Sequence, residues 1–141
     1  SVRSSWWIGP LLALSFAVVA SFPWTPLLGT AIADTATRLR RRMRVEHLVV
    51  TRGRDGLTLW DAQGGRGLEA WGGQEAVDVT GAGDAVVAAA TLALASGRDA
   101  WTAAALANVA GSVAVSRRGA VAVTQDELRR AIGPGARRRT R

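Results

Sequence analysis

Cysteine is absent from the 141 residues, and histidine occurs only once, as His47. The chain therefore forms no disulfide bond and offers no thiolate to a metal, so clusters of His and Cys ligands are excluded. His47 lies beside an apparent strand, where a lone histidine is more often a packing or surface residue than a ligand. The lack of cysteine leaves the redox compartment undecided.

Lysine is also absent, so all 18 basic residues are arginines, and with 11 acidic residues they give a net charge of +7. Much of this charge lies in two runs, residues 38–44 and 137–141. Such runs can attract nucleic acid or an anionic membrane surface. The aromatic residues are not interleaved with the arginines, however, and no nucleic-acid module is recognisable. We therefore expect a solvated basic face and a basic tail, and no nucleic-acid partner.

Charged residues are missing from residues 4–33, which include the apolar run 11–22. Three interpretations remain open. A transmembrane helix needs about 20 apolar residues, and the uninterrupted run has only about 12. A secretory signal would use Arg3, the apolar run and the small residues Ala31 and Ala33 as a cleavage pattern. The third interpretation is a stretch foreign to the fold that follows, such as the product of an altered reading frame.

The rest of the chain is organised around the sequence DVTGAGDA, residues 78–85. Gly81 and Gly83 allow backbone conformations and close approaches that a Cβ would block. An alanine-rich helical pattern follows from Asp84 to Ser96, so the helix is predicted to begin at the glycines. Its free N–H groups and the positive end of its dipole would form an anion site suited to phosphate. From the residues alone, Asp84 is either an N-cap or a general base for a hydroxyl.

Upstream of this motif, hydrophobic spacing predicts a surface helix from Ala31 to Met43. Residues 47–51 are predicted to form a buried strand and residues 57–60 its hairpin partner, joined by a glycine turn. Residues 62–67 are predicted to form a second, exposed turn. Short extended pieces are expected afterwards, at 68–71 and 76–79.

Downstream, a second alanine-rich helix is predicted from about Ala100 to Val115, starting near Asp99. It is expected to pack on the first helix through Trp101, Leu106, Val109 and Val113, with the small residues Ala103 to Ala105 and Gly111 allowing close approach. The T-x-x-E sequence from Thr124 to Glu127 predicts a capping box before a short helix through Ile132.

DVTGAGDA resembles the C-terminal signature of the ribokinase-like (PfkB) carbohydrate kinases, D-T-x-G-A-G-D, and departs from it at Val79. The resemblance extends from about Val45 to Leu128, with none seen before about residue 31. The stretches VVTRGRDGLTLWD and LANVAGSVAVSRRGA are most similar to the heptose 7-phosphate kinase group of this family.

The resemblance implies the C-terminal portion of an α/β sandwich with a mainly parallel sheet, preceded by an apolar N-terminal segment. Residues 1–33 would form that segment, 34–133 a partial kinase domain and 134–141 the basic tail. Family members are usually about twice as long, and the chain begins with Ser1 rather than Met, so we expect a fragment or a processed product.

The resemblance also implies a mechanism. Asp84 would take the proton of a sugar hydroxyl as it attacks the γ-phosphate of ATP, in an anion hole formed by the N–H groups of Gly81, Ala82 and Gly83. Magnesium would arrive with the nucleotide. A monovalent cation, K⁺, is assigned by resemblance to Asp78, Thr80, Ala114, Arg117 and Gly119.

Nucleotide contacts are assigned by resemblance to Thr51, Gly53, Gly56 and Asn108. The residues alone leave an alternative for each, because the three hairpin residues fit an ordinary glycine turn and Asn108 fits a structural amide on an apolar helix.

Two features of the family are missing: a glycine-rich sugar-binding region and an N-x-x-E motif that places magnesium, since Asn108 is the only asparagine. The leading hypothesis is an ATP-dependent kinase of a sugar or sugar phosphate, such as a heptose 7-phosphate. The alternatives are a catalytically silent nucleotide-binding remnant and a membrane-tethered domain using residues 4–33. The expected partners are a nucleotide, a sugar phosphate and a second or complementing chain. We expect a cytoplasmic location, where ATP is found.

Overall fold

A computed structural model of the chain describes residues 15–18, 25–73 and 76–133. The elements are β1 (Ser15–Val18), α1 (Thr25–Met43), β2 (Leu48–Thr51), β3 (Leu57–Asp61), β4 (Gly64–Leu68), α2 (Ala82–Ala95), α3 (Ala100–Val115) and α4 (Gln125–Ile132). Short 3₁₀ turns occupy Gly53–Asp55 and Trp71–Gly73. The predicted basic tail and most of the apolar segment lie outside the described residues.

The four strands form one sheet in the order β1-β2-β3-β4. The β1–β2 pair is parallel and is connected through α1, whereas β2–β3 and β3–β4 are antiparallel hairpin neighbours. The predicted α/β class is confirmed, and the described part of the sheet is mixed. The apolar segment contributes β1 and the start of α1, which begins at Thr25 instead of Ala31. Within the described ranges, the helices lack the combination of length and apolar character that crossing a membrane requires.

Helices cover both faces of the sheet, and alternate side chains of β2 pack against them. Leu48 and Val50 join Ala36 of α1 on one face, while Val49 packs with Leu59 and with α3 on the other. Because both faces of β2 are buried, all of its side chains can be apolar, which explains the continuous apolar run from which the strand was predicted. The second face also receives Trp101 of α3, so the prediction that Trp101 packs on α2 is wrong.

The glycine-rich residues 62–67 were predicted to be a turn, and this prediction is wrong, because Gly64–Leu68 pairs with β3 along its whole length. The turn itself is shorter, and the Asp61 carboxylate stabilises it by accepting from the N–H of Gln63 at 2.8 Å. Glycine at position 65 leaves room for the Trp60 ring, because a Cβ there would lie 2.8 Å from it. The predicted extended pieces differ too, since Trp71–Gly73 is a 3₁₀ turn and residues 76–79 form no strand.

Helix ends follow their local sequence. The Asp99 carboxylate accepts from the N–H of Thr102 at 3.0 Å and caps α3. Thr124 and Glu127 form the predicted capping box, in which the Glu127 carboxylate accepts from the Thr124 N–H at 2.8 Å. Both helix starts are confirmed.

Helices α2 and α3 pack closely on each other through Val86 and Ala90 of α2 and Ala107 of α3. Gly111 allows this approach, as predicted, because a Cβ at this position would lie 2.7 Å from a methyl group of Val86.

Gly111→Ala is expected to lower the free energy of unfolding by roughly 1–2 kcal/mol, since overpacking costs about 1–3 kcal/mol and the helix preference of Ala offsets only about 1. Val86→Ala removes the methyl groups that face Gly111, so Gly111→Ala in this background is expected to raise the free energy of unfolding. Urea denaturation of the four chains of this double-mutant cycle measures the coupling. Equal effects of Gly111→Ala in the two backgrounds would contradict the close approach.

Candidate active site

The glycine turn, residues 78–83, leads directly into α2. Gly81 is the N-cap and has a φ of 79°, in the left-handed region that favours glycine. It also lies against the loop that follows α3, because a Cβ at Gly81 would be 3.2 Å from Ala120. The prediction that the helix begins at the glycines is confirmed.

The N–H groups of this turn differ in their bonding. The N–H of Ala82 donates to the Val79 carbonyl at 3.2 Å. In the described part of the chain, the N–H groups of Gly81, Gly83 and Asp84 have no backbone acceptor. Free N–H groups at the positive end of a 14-residue helix are the elements of an anion site.

Asp84 lies in the first turn of α2, two residues after the helix begins. The N-cap is Gly81, and no side chain caps this helix, so the N-cap alternative for Asp84 is wrong. The Asp84 carboxylate is exposed and forms no hydrogen bond with a described residue. A free carboxylate beside free N–H groups is an arrangement that can accept a proton next to a bound anion.

Asp78 is the most strongly bonded carboxylate of the site. One of its oxygens accepts from the hydroxyl of Thr80 at 2.7 Å and from the Thr80 N–H at 2.9 Å. The other accepts from the N–H of Gly119 at 2.8 Å. These three donors, with the Thr80 hydroxyl first, lower the pKa of Asp78 from 3.8 to about 2. The resulting stabilisation is present above the ordinary pKa and is lost as the pH falls through the lowered one.

The residues assigned to a monovalent cation, through the side chains of Asp78 and Thr80 and the main-chain carbonyls of the loop, fall into two hydrogen-bonded groups. Asp78, Thr80 and Gly119 are in direct contact. At the end of α3, the Ala114 carbonyl accepts from the Arg117 N–H at 3.3 Å, while the Arg117 side chain pairs with Glu127 at 2.8 Å. In residues 76–133 and the other described ranges, no cluster of three or more acidic or histidine side chains is placed to hold a metal.

The nucleotide-binding candidates Thr51, Gly53 and Gly56 lie together where β2 turns into β3. Gly56 is buried at a φ of 88°, and a Cβ there would lie 2.0 Å from the Leu68 carbonyl oxygen. The tight packing of this hairpin on the end of β4 therefore explains Gly56.

Asn108 is buried at 8% exposure, and its side-chain amide donates to the Glu69 carbonyl at 2.6 Å. One turn further along α3, the Ser112 hydroxyl accepts from the Trp71 N–H at 3.1 Å. The amide of Asn108 thus has a structural partner in Glu69, which follows Leu68, the residue that packs on Gly56. Among the described residues, no hydrogen bond joins Asn108 or Ser112 to Asp78.

Sequence reasoning missed two partners of the predicted site residues, Val115 and Glu69, and the supporting residue Ser112. The Val115 carbonyl accepts from the N–H groups of Val77 and Asp78 at 2.8 and 3.2 Å, and Glu69 and Ser112 secure the chain after β4. Only Ser112 left a signal in the sequence, because it lies four residues after Asn108 on an otherwise apolar helix and so shares its face.

The fold and the turn together define the class of protein. Phosphofructokinase-2 from Escherichia coli, solved in complex with potassium, matches with a TM-score of 0.65 at 22% identity, over 72% of this chain and 33% of that one. A putative ribokinase II from Escherichia coli, solved in complex with ATP and Mg²⁺, matches with a TM-score of 0.56 at 33% identity, over 62% of this chain and 28% of that one. The fold is ribokinase-like.

The sequence agrees with the fold. The pfkB family carbohydrate kinase profile matches residues 23–127, so the chain belongs to the pfkB family of carbohydrate kinases. The match begins at residue 23, so the predicted limit near residue 31 is wrong. Bifunctional protein HldE from Halorhodospira halophila is 43% identical over 107 residues, which are 76% of this chain and 22% of that protein. The chain spans about a fifth of the length of such relatives.

Proposed function

We propose that this chain carries the phosphoryl-transfer end of an ATP-dependent pfkB sugar kinase. The observation that carries the proposal is the start of α2, where the N–H groups of Gly81 and Gly83 adjoin the Asp84 carboxylate, and none of these groups is paired with a described residue. This is the pairing that phosphoryl transfer to an alcohol needs: donors for the charge on the phosphoryl group and a base for the hydroxyl.

In the proposed reaction, Asp84 takes the proton of the acceptor hydroxyl while the hydroxyl oxygen bonds to the γ-phosphorus. The bond between the γ-phosphorus and the bridging oxygen breaks, and ADP leaves with the electron pair. Mg²⁺ would arrive with the nucleotide, held by its phosphates, and would neutralise part of their charge. The side-chain oxygens of Asp78 and Thr80 and the main-chain carbonyl of Gly119 would hold K⁺.

The two nucleotide-binding regions in this proposal are the anion site and the end of the hairpin. Thr51, Gly53 and Asn108 border the region assigned to the nucleotide, while Gly56 shapes the hairpin. Support comes from the putative ribokinase II, which is 33% identical to this chain and was solved in complex with ATP and Mg²⁺. Because ATP is the phosphoryl donor, we propose that the protein acts in the cytoplasm.

For the acceptor, we propose a sugar phosphate of the heptose 7-phosphate type, phosphorylated at the anomeric hydroxyl. The support is the similarity to HldE proteins, at 43% and 41% identity in two of them. The proposed domain extends from at least residue 15 to residue 133, because β1 pairs with β2 and the family match also includes residues before 34.

The alternative is a nucleotide-binding chain without turnover. It is favoured by apolar side chains that are exposed on the turn and on α2. Val79 and Leu92 are 72% and 69% exposed. Such surface suits a second or complementing chain, which would also bring the acceptor-binding part.

Titration calorimetry with MgATP and K⁺ tests the proposal on the wild-type chain and on Gly83→Glu. Gly83 is exposed, and a Cβ there meets no atom within 4 Å, so the substitution is expected to leave the fold intact. A negative charge in the first turn of a helix also interacts favourably with the helix dipole. Its charge and bulk are expected to weaken ATP binding by at least about tenfold, because they occupy the proposed phosphate position.

Ala88→Glu is the matched control, since it adds the same charge at an exposed position further along α2. Its dissociation constant for ATP is expected to stay close to the wild-type value. A folded wild type that binds no ATP, or equal weakening by the two substitutions, would contradict the proposal.

A further inference from the structure

We propose that the C-terminal end of α1 is a docking surface for an anionic lipid bilayer, which it binds through Arg38, Arg41, Arg42 and Arg44. These four residues are called the basic patch below. The proposal is independent of the kinase reaction, because the patch contains none of the residues assigned to the nucleotide, the base or the cation. It concerns reversible attachment to the surface of a bilayer.

The first observation is that the basic patch faces away from the sheet. Arg41 and Arg42 lie three and four residues after Arg38, so the three side chains share one face of α1. Ala36, on the opposite face, is buried against the sheet. Arg44 lies just beyond the end of the helix, and all four arginines of the patch are exposed.

The second observation is that the end of α1 is secured by Arg40, which is not part of the patch. The Arg40 side chain donates to the Val45 and Glu46 carbonyls at 3.4 and 3.3 Å. Arg38 donates to the Asp34 carbonyl at 3.3 Å, within its own helix. Among the residues that the structure describes, no carboxylate forms an ion pair with an arginine of the patch. The positive charges are therefore available to an external anion.

The third observation concerns the chain that joins the sheet beside the patch. The patch ends four residues before β2, whose first residue pairs with Ser15 of β1. Because β1 and β2 are parallel, the chain before Ser15 is attached at the same end of the sheet as the patch. The sequence of residues 4–14 has no charge and contains two tryptophans, Trp6 and Trp7.

An anionic bilayer is the partner that fits both features. Its negative surface potential attracts arginines, and tryptophan is enriched where headgroups meet acyl chains. Stable attachment at a membrane surface usually takes two signals, such as a basic patch and an apolar group. Met43, which is 44% exposed, adds apolar surface between the arginines. A nucleic acid would be attracted by the arginines alone, because its phosphates gain nothing from an uncharged apolar sequence.

The test measures partition of the full chain onto vesicles by sedimentation. One kind of vesicle contains equal parts of phosphatidylglycerol and phosphatidylcholine, and the other contains phosphatidylcholine alone. The wild type is expected to bind the anionic vesicles at least about a hundredfold more strongly. High salt is expected to remove most of this difference, because it screens the attraction between exposed charges.

The variant Arg38→Gln/Arg41→Gln/Arg42→Gln removes three charges of the patch. Glutamine has a helix propensity similar to that of arginine and the three positions are exposed, so the fold is expected to be retained. Each arginine near an anionic surface contributes about fivefold, so partition onto anionic vesicles is expected to fall at least about thirtyfold. Should this variant not fold, Arg41→Gln/Arg42→Gln replaces it, with an expected fall of at least about tenfold.

Arg98→Gln/Arg129→Gln/Arg130→Gln is the matched control, because it removes the same charge from exposed positions outside the patch. Its partition onto anionic vesicles is expected to stay within about threefold of the wild-type value, since charges far from the contact are screened. The basic tail, residues 137–141, is the same in every chain, so it cannot cause a difference between the variants.

Equal partition of the wild type onto the two kinds of vesicle would overturn the proposal, and so would equal losses in the patch variant and the control. Binding to double-stranded RNA that only the patch variant loses, without a preference for anionic vesicles, would overturn it in favour of a nucleic-acid partner. None of these outcomes depends on ATP binding, so the proposed function stands or fails separately.

Discussion

Asp84→Asn is expected to lower the rate of phosphoryl transfer from ATP by about 10²–10⁴-fold, the usual contribution of a general base. Asn has nearly the same shape but cannot accept the hydroxyl proton. The ATP affinity is expected to change little, because the N–H groups that would bind the phosphate belong to the main chain. The fold is also expected to be retained, since the Asp84 side chain is exposed and does not cap α2.

The measurement is ADP release in the presence of a heptose 7-phosphate, with ATP binding followed in parallel by calorimetry. Asp126→Asn is the control, because Asp126 is another exposed acidic residue in the first turn of a helix, paired with Arg129 at the surface. Its rate is expected to equal that of the wild type. Transfer by Asp84→Asn at the wild-type rate would exclude Asp84 as the base. ATP binding by a wild type that transfers nothing would favour the silent alternative.

Gly56→Ala is expected to have the largest effect on stability, with a loss of roughly 2–6 kcal/mol in the free energy of unfolding. Two causes act together. The backbone has a φ of 88°, which side chains rarely adopt, and the new Cβ would lie 2.0 Å from the Leu68 carbonyl oxygen and 2.6 Å from the Ala70 nitrogen. Both contacts are with main chain, so no side-chain rotation relieves them. Domains of this size are stable by only about 5–15 kcal/mol, and the variant is expected to be close to unfolding.

Gly53→Ala separates the two causes, because Gly53 lies in the same hairpin at a φ of 58° but has open space where the Cβ would be. Its loss is expected to be about 1–2 kcal/mol, from backbone conformation alone. Urea denaturation followed by tryptophan fluorescence measures both variants. A difference below about 1 kcal/mol between them would show that the hairpin does not pack on β4 as described.

The positions of helix ends and of the site turn could be predicted because the groups that decide them are close in sequence. Thr124 and Glu127 satisfy each other across three residues, and Asp99 caps the helix that it precedes. The glycines of the DVTGAGDA turn mark the start of α2 in the same way. The family could be assigned from this short stretch, since its residues act as one local unit.

Predictions failed where a partner distant in sequence decides. Nothing within residues 62–67 indicates a strand, because these glycines pair through their main chain with β3, whose Trp60 covers one of them. Trp101 has an apolar face that suits α2 or the sheet equally well, and only packing assigns it to the sheet. The sequence also did not reveal that the Asn108 amide donates to the Glu69 carbonyl, because the two residues are 39 positions apart.

The sequence by itself determined the family, the α/β class, the glycine turn and the presence of Asp84 at the start of a helix, because each depends on neighbouring residues and on their spacing. Only the tertiary structure decided that Asp84 lies beyond the N-cap and that Asp78 bridges to Gly119. It also decided that Gly56 is closed in by β4. The last two facts depend on groups far apart in sequence, Asp78 with Gly119 and Gly56 with Leu68, whose contacts leave no periodic trace in the side chains.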